Sequence, residues 1–424
     1  MAHTYLTQQM TQRRVLGIRP GLDRIKAVLE YLGNPQRSLG RVALIAGTNG
    51  KGSTASFVYS MLRAAGFRCA LYTSPHLVAV DERIQLDGRS LPEEELKGAL
   101  AAVVHAEHAT GQKLTGFELL TAVAFRSFAA AKPDYTVLEV GLGGRLDATN
   151  VVEPAVSTVT PIGLDHCDFL GHTLSAIAME KAGIFRSGTP AVVATGAPDV
   201  VDTLRQQAEA KTAPLHLEGA HFDGQLEGDL FTYAGPGRTL SKTPLGLAGA
   251  YQGQNAALAV ATVDLLTQSR LEKEILSRGL ADARWPGRFD LRYPGGTPVL
   301  FDGAHNREGI AALSIAFAAR WPGKTDILLV VRDNRNIEDI VGPLLPLARR
   351  IIATEARGAG CHPPQQVVSA APPGIEGIAA DSSESALTML LREPPSPSGI
   401  PKLCCGSLYL VGYCFESLRL NAQE

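Results

Sequence analysis

The sequence has no long apolar run. In the first thirty residues, Met10, Gln12, Arg13 and Arg14 interrupt any stretch that resembles the apolar core of a secretory signal. The longest candidate, "LLTAVAFRSFAAA", is interrupted by Arg126 and stays well short of the roughly 18 residues of a membrane helix. We therefore expect no membrane partner and a cytoplasmic location.

The chain also lacks an excess of charge of either sign. Its net charge is −2 and its pI is about 6.6, so nothing in it predicts nucleic acid or an acidic membrane as a partner. The six cysteines form no C-x-x-C spacing, which favours free thiols in a reducing cytosol over disulfides or a zinc site. No sustained heptad or large repeated apolar face marks an interface, and we expect a monomer.

Apolar runs alternate with helical stretches over 424 residues, a length that exceeds the usual size of one hydrophobic core. Most of these runs are apolar on both faces, as in parallel strands that are covered on both sides. This pattern predicts an α/β fold with right-handed crossovers. The predicted strands are 42–46, 69–73, 136–140, 156–160, 191–194, 299–302, 327–331, 351–354 and 402–405.

Three further segments shape the predicted architecture. Apolar residues at helical spacing predict a helix over 54–65, which Gly66 ends. Residues 212–246 are rich in Gly and polar side chains and predict a small antiparallel excursion. The segment 283–298 is rich in Pro and Gly and predicts a domain boundary, after which βα alternation restarts with a helix to about Arg320 and a second over 337–349.

The stretch "VALIAGTNGKGSTASFV" (42–58) is typical of a phosphate cradle. A strand runs into a Gly-rich turn, and a helix follows that carries a lysine and two hydroxyls at its start. Backbone N–H groups and the helix N-terminus favour an anion there, although the order Lys51-Gly52 departs from the standard G-x-x-x-x-G-K-[ST] pattern. Lys51 is placed to reach the outer phosphates, and Ser53 or Thr54 to bind Mg²⁺.

Polar residues follow two neighbouring predicted strands. Glu139 is a carboxylate at the end of an apolar strand, where ligands of doubly wound sheets bind and where a cation would offset its burial. Asp165-His166 lies one loop beyond the next strand, and Lys181 lies close by in sequence. The Gly141-x-Gly143 pattern is weak evidence for a dinucleotide, because Leu146 occupies the place of the third Gly.

Nine sequence blocks together resemble one family. They resemble folylpolyglutamate synthase/dihydrofolate synthase, a branch of the Mur ligase superfamily, and the resemblance as a whole extends from about residue 20 to residue 412. In order they are "AGTNGKGST", "SPHL…ERI", "EVGLGGRLDATN", "LDH…LG", "EKAGIFR", "QGQNAALA", "PGRF", "FDGAHN" and "CGSLYLVG".

The resemblance implies two domains with an active site in the cleft between them. Residues 1–288 would form a P-loop ATPase domain with a mostly parallel sheet, which also binds the pterin. Residues 289–424 would form a smaller Rossmann-like α/β domain. The reaction implied is ATP-dependent addition of L-glutamate to a pterin carboxylate through an acyl phosphate, with Lys51, Lys181, His166 and Arg288 in catalytic roles.

The resemblance also implies a set of ligand-binding residues. ATP would contact Gly47, Thr48, Asn49, Gly50, Lys51, Gly52, Ser53, Thr54, Asn255, Arg288, Asp302 and His305. Two Mg²⁺ ions would be held by Ser53, Ser74, Glu139, His166 and Lys181, the last carrying an N6-carboxyl group. The pterin would lie near Phe117, Glu118, Leu146 and Asp147, with Arg145 placed to pair with an anion.

Two departures from the family pattern lie in the second domain. Arg307 replaces the proline that usually follows His-Asn, which restores a backbone N–H. The loop in "LLVVRDNRNIEDI" (328–340) is short and lacks the usual Gly and Lys, and Asp333 is the acidic residue left for that role.

Several functions stay open at this point. If the chain is a ligase, its acceptor is dihydropteroate, a folate that already bears glutamate, or both. Folylpolyglutamate synthase activity alone is one alternative. A P-loop phosphotransferase would also need a cradle, Mg²⁺ and an acidic strand end, but it does not account for a second βα domain. The third hypothesis is that the chain is a non-catalytic ATP-binding relative of these enzymes.

Overall fold

The computed structural model describes residues 2–356, 360–392 and 399–420. The chain divides into two compact units. The first comprises Met1–Gly246 and Gly253–Ala283, and the second comprises Leu247–Gln252 and Arg284–Glu424. The segment 247–252 thus groups with the second unit although the first unit surrounds it in sequence.

An eight-stranded sheet organises the described part of the first unit. Its order is β4-β3-β2-β5-β1-β6-β7-β8, and the six strands from β2 to β8 in this order are parallel. Apolar side chains on both faces of these strands account for their burial, as the sequence predicts. The strands are β1 (Arg41–Ala46), β2 (Cys69–Tyr72), β3 (Ile84–Leu86), β4 (Arg89–Ser90), β5 (Tyr135–Glu139), β6 (Val156–Val159), β7 (Ala191–Val193) and β8 (Leu215–Leu217).

The antiparallel excursion predicted over 212–246 is confirmed only for residues 223–244, which form a three-stranded sheet, because Leu215–Leu217 is β8, a parallel strand of the large sheet. It consists of β9 (Asp223–Glu227), β10 (Leu230–Gly235) and β11 (Arg238–Pro244), in the order β11-β10-β9. Alternating buried and exposed residues along β10 show that one face of this sheet is covered.

Helices cover the first unit's large sheet. They are α1 (Ala2–Gln12), α2 (Asp23–Tyr31), α3 (Lys51–Ala64), α4 (Glu93–Thr110), α5 (Gly116–Ala131), α6 (Cys167–Leu170), α7 (Leu174–Ala182), α8 (Pro198–Ala210), α9 (Gln252–Thr267) and α10 (Lys273–Asp282). Short 3-10 turns occur at Arg14–Leu16, Pro35–Arg37, Val80–Arg83 and Ala148–Val151. The last of these follows the Gly141-x-Gly143 pattern, at the place where a dinucleotide-binding fold begins a long helix.

The second unit has its own sheet, in the order β12-β13-β17-β14-β15-β16, with only the edge strand β12 antiparallel. Its strands are β12 (Asp290–Arg292), β13 (Val299–Phe301), β14 (Thr325–Leu329), β15 (Ala348–Ala353), β16 (Glu376–Ala379) and β17 (Lys402–Cys405). Its helices are α11 (Arg307–Arg320), α12 (Ile337–Val341), α13 (Pro364–Ser369), α14 (Ser383–Arg392) and α15 (Leu408–Ser417), with 3-10 turns at Pro294–Gly296 and Gly342–Leu344.

One predicted helix is wrong in extent. The helix expected over 337–349 ends at Val341 and continues only as the turn Gly342–Leu344. Pro343 and Pro346 explain this, because proline lacks the N–H that an α-helix interior requires.

None of the helices in the described ranges is long and apolar enough to cross a membrane.

Candidate nucleotide and metal site

Four neighbouring parallel strands of the first unit bring the predicted site residues to one edge. In the order β2-β5-β1-β6, the carboxyl ends of the strands point the same way. Glu139 ends β5 and pairs in register with Ile45 of β1, and Gly47 follows β1. Ser74 follows β2, and His166 follows β6. This is the sheet edge at which doubly wound folds bind ligands.

The Gly-rich loop after β1 is held by the loop after β6. The backbone N–H groups of Thr48 and Asn49 donate to the carbonyl of Pro161, at 3.0 and 3.2 Å. The Thr48 hydroxyl donates to the Gly163 carbonyl at 3.0 Å, and the Thr160 hydroxyl donates to the Asn49 carbonyl at 2.7 Å. These four bonds fix the shape of the loop.

Two positions of this loop require glycine. Gly47 has φ +147° and Gly50 has φ +87°, in the range that L side chains rarely adopt. A Cβ at Gly47 would collide with the Thr160 side chain, and a Cβ at Gly50 would collide with the Asn255 amide. The loop is therefore packed closely on both sides, and Asn255 of α9 lies directly against it.

Helix α3 starts at Lys51, three residues before the predicted start, so the loop leads straight into a helix N-terminus. The Lys51 ammonium donates to the Thr48 carbonyl at 3.1 Å. Ser53 is buried, and the buried Thr54 hydroxyl has no hydrogen-bond partner among the described residues. A buried hydroxyl beside a helix N-terminus can donate to a bound phosphate or coordinate the cation that accompanies the phosphate.

Lys181 on α7 is brought to the same loop. Its side chain is 4% exposed, and its Nζ donates to the Gly47 carbonyl at 2.7 Å. Burial, with a smaller contribution from Lys51, lowers the pKa of Lys181 to about 7, although Asp165 and Asp147 act in the opposite direction. A large fraction of this amine is therefore neutral near neutral pH.

Three of the candidate metal ligands, Ser53, Ser74 and Glu139, offer the oxygen atoms that Mg²⁺ prefers. The buried Glu139 carboxylate accepts the backbone N–H of Ser74 at 3.0 Å. His166 is more than a third exposed and its Nε2 lies 3.6 Å from Asp165 Oδ1. The described residues contain no group of three His, Cys, Asp or Glu side chains able to hold a metal alone. One carboxylate with hydroxyls fits Mg²⁺, which usually completes its shell with phosphate oxygens and water.

The predicted pterin region is built around Phe117. The Phe117 ring lies over Gly141, where an added Cβ would be 2.5 Å from a carbon atom of the ring. The centroid of the Phe117 ring also lies 5.9 Å from the centroid of the Tyr72 ring. Asp147 is buried and accepts from the Leu142 N–H at 2.9 Å and from the Thr149 hydroxyl at 2.6 Å. Burial raises the pKa of Asp147 despite these bonds.

The other residues predicted near the pterin are Glu118, Arg145 and Leu146, and the first two form ion pairs within the chain. Glu118 caps α5 by accepting from the Thr115 N–H at 2.8 Å, and it pairs with Arg24 at 3.0 Å. Arg145 is exposed and pairs with Glu180 at 2.8 Å, and Leu146 is half-buried. Sequence reasoning missed Arg24, since no sequence pattern links α2 with the start of α5.

The predicted residues of the second unit form a separate network. Asp302 follows β13, and its Oδ2 accepts from the Phe289 N–H at 2.8 Å and from the Tyr251 hydroxyl at 3.0 Å. Burial raises the pKa of Asp302, and the nearby Arg288 acts in the opposite direction. His305 Nδ1 lies 2.8 Å from the Gly303 carbonyl. Sequence reasoning also missed Tyr251, which directly precedes the "QGQNAALA" block.

Comparison of the sequence with known proteins finds a matching family profile and related sequences. The profile of the Mur ligase middle domain matches residues 45–263. A dihydrofolate synthase/folylpolyglutamate synthase of Bacillus subtilis is 38% identical over 327 residues, which cover 73% of this chain and 74% of that protein.

Solved structures of folylpolyglutamate and dihydrofolate synthases are similar to this chain over nearly its whole length. Escherichia coli FolC in complex with DHPP and ADP has a TM-score of 0.89 and 31% identity, with 98% of this chain and 97% of that chain covered. A bifunctional folylpolyglutamate synthase/dihydrofolate synthase with Mn, AMPPNP and L-glutamate bound has a TM-score of 0.87 and 30% identity, with 98% of each chain covered.

Proposed function

Because this chain belongs to the folylpolyglutamate synthase/dihydrofolate synthase family of Mur ligases, we propose that it uses ATP to add L-glutamate to a pterin carboxylate. The acceptors proposed are dihydropteroate, tetrahydrofolate polyglutamates, or both. One observation carries the proposal. The Gly47–Gly50 loop, the Lys181 amine and the Glu139 carboxylate meet at one sheet edge, where phosphate, cation and acceptor chemistry can be combined.

We assign phosphate binding to the loop from Gly47 to Thr54. Its backbone N–H groups and the N-terminus of α3 favour an anion, and the Lys51 ammonium, which is bonded to the Thr48 carbonyl of the same loop, adds a positive charge. The first unit would then bind ATP and the pterin, with Asn255 beside the loop. The second unit would contribute Arg288, Asp302 and His305 to nucleotide binding.

Ser53, Ser74, Glu139, His166 and Lys181 would hold magnesium, and we propose two ions. Bound Mg²⁺ supplies charge neutralisation of the phosphates and polarises the γ-phosphoryl group. The buried Glu139 carboxylate and the orphan Thr54 hydroxyl are the features of the structure that fit such a cation.

We propose that Lys181 is N6-carboxylated. Only a neutral amine reacts with CO₂, and burial beside Lys51 lowers the pKa of Lys181 to about 7. The neutral nitrogen forms a bond to the CO₂ carbon as one C–O π bond breaks, and the nitrogen loses one proton, which converts a neutral amine into an anionic carbamate. That anion would add the second carboxylate that a two-cation site needs.

The reaction would proceed in two displacements. A carboxylate oxygen of the pterin forms a bond to the γ-phosphorus of ATP as the bond to ADP breaks. The amine of L-glutamate then bonds to the acyl carbon, inorganic phosphate leaves, and the amine loses its proton. Lys51 and Arg288 would offset phosphate charge, and no side chain of the protein acts as a nucleophile.

The test is a phosphate-release assay with ATP, Mg²⁺ and L-glutamate. We expect phosphate only when dihydropteroate or tetrahydrofolate is added, with a product one glutamate heavier by mass spectrometry. Release of ADP without glutamate, with a phosphorylated acceptor, would favour the phosphotransferase. No turnover with either acceptor would rule out the ligase, and ATP binding in that case would identify a non-catalytic relative.

We also propose that the enzyme is a cytoplasmic monomer. All six cysteines are free thiols, which suits a reducing compartment. Sedimentation of the purified protein at several concentrations tests the monomer.

A further inference from the structure

The Asp302 carboxylate of the second unit accepts three hydrogen bonds from groups of the chain. Its Oδ1 accepts the Ala304 N–H at 2.7 Å, and its Oδ2 accepts the Phe289 N–H at 2.8 Å. The remaining side-chain donor is the Tyr251 hydroxyl, 3.0 Å from Oδ2. Asp302 itself is 3% exposed. Two backbone groups and one tyrosine therefore decide where this carboxylate points.

Tyr251 reaches Asp302 from a segment that lies elsewhere in the sequence. It belongs to Leu247–Gln252, which packs with the second unit and leads directly into α9. Its ring meets Phe289 edge-on at 6.4 Å, and Phe289 stacks on Trp321 at 5.7 Å. These aromatic contacts hold the Tyr251 ring in position. The hydroxyl is therefore not needed to position the ring, and its hydrogen bond acts on the Asp302 carboxylate.

We infer that Tyr251 is a positioning residue for nucleotide binding, whose hydroxyl fixes the orientation of the Asp302 carboxylate. The inference rests on the proposed function, in which Asp302 contacts ATP. An ionised carboxylate accepts hydrogen bonds and repels phosphates, so Asp302 would contact an O–H or N–H donor of the nucleoside part.

Several titratable groups of the described residues interact with Asp302. They include Tyr251, Arg288 from the turn before β12, and Cys405 from β17. Burial raises the pKa of Asp302, whereas Arg288, the two backbone N–H groups and the Tyr251 hydroxyl lower it. Loss of the hydroxyl should therefore raise the pKa further and leave less of the ionised acceptor.

The test is Tyr251→Phe, which removes one oxygen and keeps the ring. We expect the KM for ATP and the Kd for ADP to rise about 5- to 10-fold, the size of effect of one ordinary hydrogen bond, because the lost bond acts on the nucleotide only through Asp302. We expect kcat within about twofold of wild type and an unchanged KM for glutamate. The acid limb of kcat/KM for ATP should move to higher pH, which a purely structural role would not produce.

Two further variants separate this inference from the proposed function. Tyr233→Phe, in the three-stranded sheet, controls for loss of a buried tyrosine hydroxyl and should leave ADP binding unchanged. If Asp302→Asn does not weaken ADP binding, the proposed nucleotide contact of Asp302 fails. If Asp302→Asn weakens it and Tyr251→Phe does not, only the role of Tyr251 is overturned.

A double variant covers the case in which Tyr251→Phe perturbs folding. If Tyr251 acts through Asp302, Tyr251→Phe combined with Asp302→Asn should bind ADP no more weakly than Asp302→Asn alone. Losses that add would show that Tyr251 acts independently of the carboxylate, and the inference would be wrong.

Discussion

Gly50 and Gly66 have almost the same backbone angle but different surroundings. Their φ values are +87° and +84°, and an added Cβ collides with the Asn255 amide at Gly50 but has no neighbour within 4 Å at Gly66. Gly66→Ala should therefore cost only the backbone strain of a left-handed residue, about 1–2 kcal/mol. This makes the two glycines a matched pair for separating strain from site geometry.

We predict that Gly50→Ala raises the KM for ATP at least about 10-fold, because one hydrogen-bonded group displaced from the loop is worth about 1.4 kcal/mol or more. Gly66→Ala should lower the free energy of unfolding and leave that KM unchanged. Steady-state kinetics and urea unfolding measure the two quantities. An equal rise of KM in both variants would show that the loop geometry around Gly50 has no special role.

Lys181 allows a chemical rescue experiment. Lys181→Ala should lose at least about 100-fold in kcat, since it removes a group proposed to complete the charge balance of the site. Formate or acetate should restore part of the activity by occupying the place of the carbamate. The exposed Lys211→Ala is the control and should neither lose activity nor respond to these anions. Full activity of Lys181→Ala would contradict the assignment.

The lowered pKa of Lys181 also predicts how stability changes with pH. Lysine has a pKa of 10.5 when unperturbed, and in the folded chain the Lys181 pKa is about 7. Between these values the unfolded chain binds a proton that the folded chain does not, so the free energy of unfolding rises with pH across this window. Below pH 7 both states are protonated, and the penalty for burying the charge is complete.

Lys181→Met removes this titration. The free energy of unfolding of the wild type relative to Lys181→Met should therefore increase from pH 7 to pH 10, whatever its sign at pH 7. Urea unfolding at several pH values in a CO₂-free buffer measures it. A difference that stays constant over this range would mean that Lys181 keeps an ordinary pKa in the folded protein.

At the scale of elements, the N-terminus of α5 connects packing with the acceptor region. Thr115 and Glu118 form a reciprocal cap, and Arg24 of α2 holds the Glu118 carboxylate. Phe117 lies between these capping residues and covers Gly141. The role of Glu118 toward the pterin would then be indirect, through the position of Phe117.

We predict that Arg24→Met raises the KM for the pterin acceptor severalfold and leaves the KM for ATP unchanged. The buried Glu118 carboxylate would lose its cation, at a cost of about 1–3 kcal/mol in stability. Lys97→Met is the control, because it breaks exposed pairs with Glu93 and Glu94 on α4. A larger effect of Arg24→Met on ATP than on the acceptor would contradict this role for the cap.

The strands of the two large sheets could be predicted where they are apolar on both faces. The strands β1 and β17 match within one residue, because burial on both sides leaves a clear signal. The short strands β3 and β4 were missed, since three and two residues are too few for any periodicity. Helix α12 is shorter than its apolar spacing predicts, because Pro343 and Pro346 cannot donate the hydrogen bonds of an α-helix interior.

The site could be predicted only in part. Parallel strand order places Glu139, the Gly-rich loop and His166 at one edge, and that follows from the sequence pattern. The partners of Glu118, Arg145 and Asp302 depend on contacts between distant segments, which no local pattern records. Arg24 and Tyr251 were missed for this reason.

At the scale of the whole molecule, each unit has its own buried core. One cluster lies in the first unit, around residues such as Leu44 and Phe125, and another lies in the second unit, around Phe317 and Leu403. Units with separate cores need not unfold together. Both tryptophans of the chain, Trp285 and Trp321, belong to the second unit.

This distribution of tryptophan makes the independence of the units measurable. Tryptophan fluorescence reports the second unit alone, where Trp321 packs on Phe289 and Phe317, whereas far-UV circular dichroism reports both units. We predict that the two signals give different urea midpoints, because each core loses its burial separately. Phe317→Leu should lower the fluorescence midpoint and leave most of the dichroism transition in place, with the first-unit variant Phe125→Leu as its counterpart. Coincident midpoints in the wild type and both variants would show that the two cores unfold as one cooperative structure.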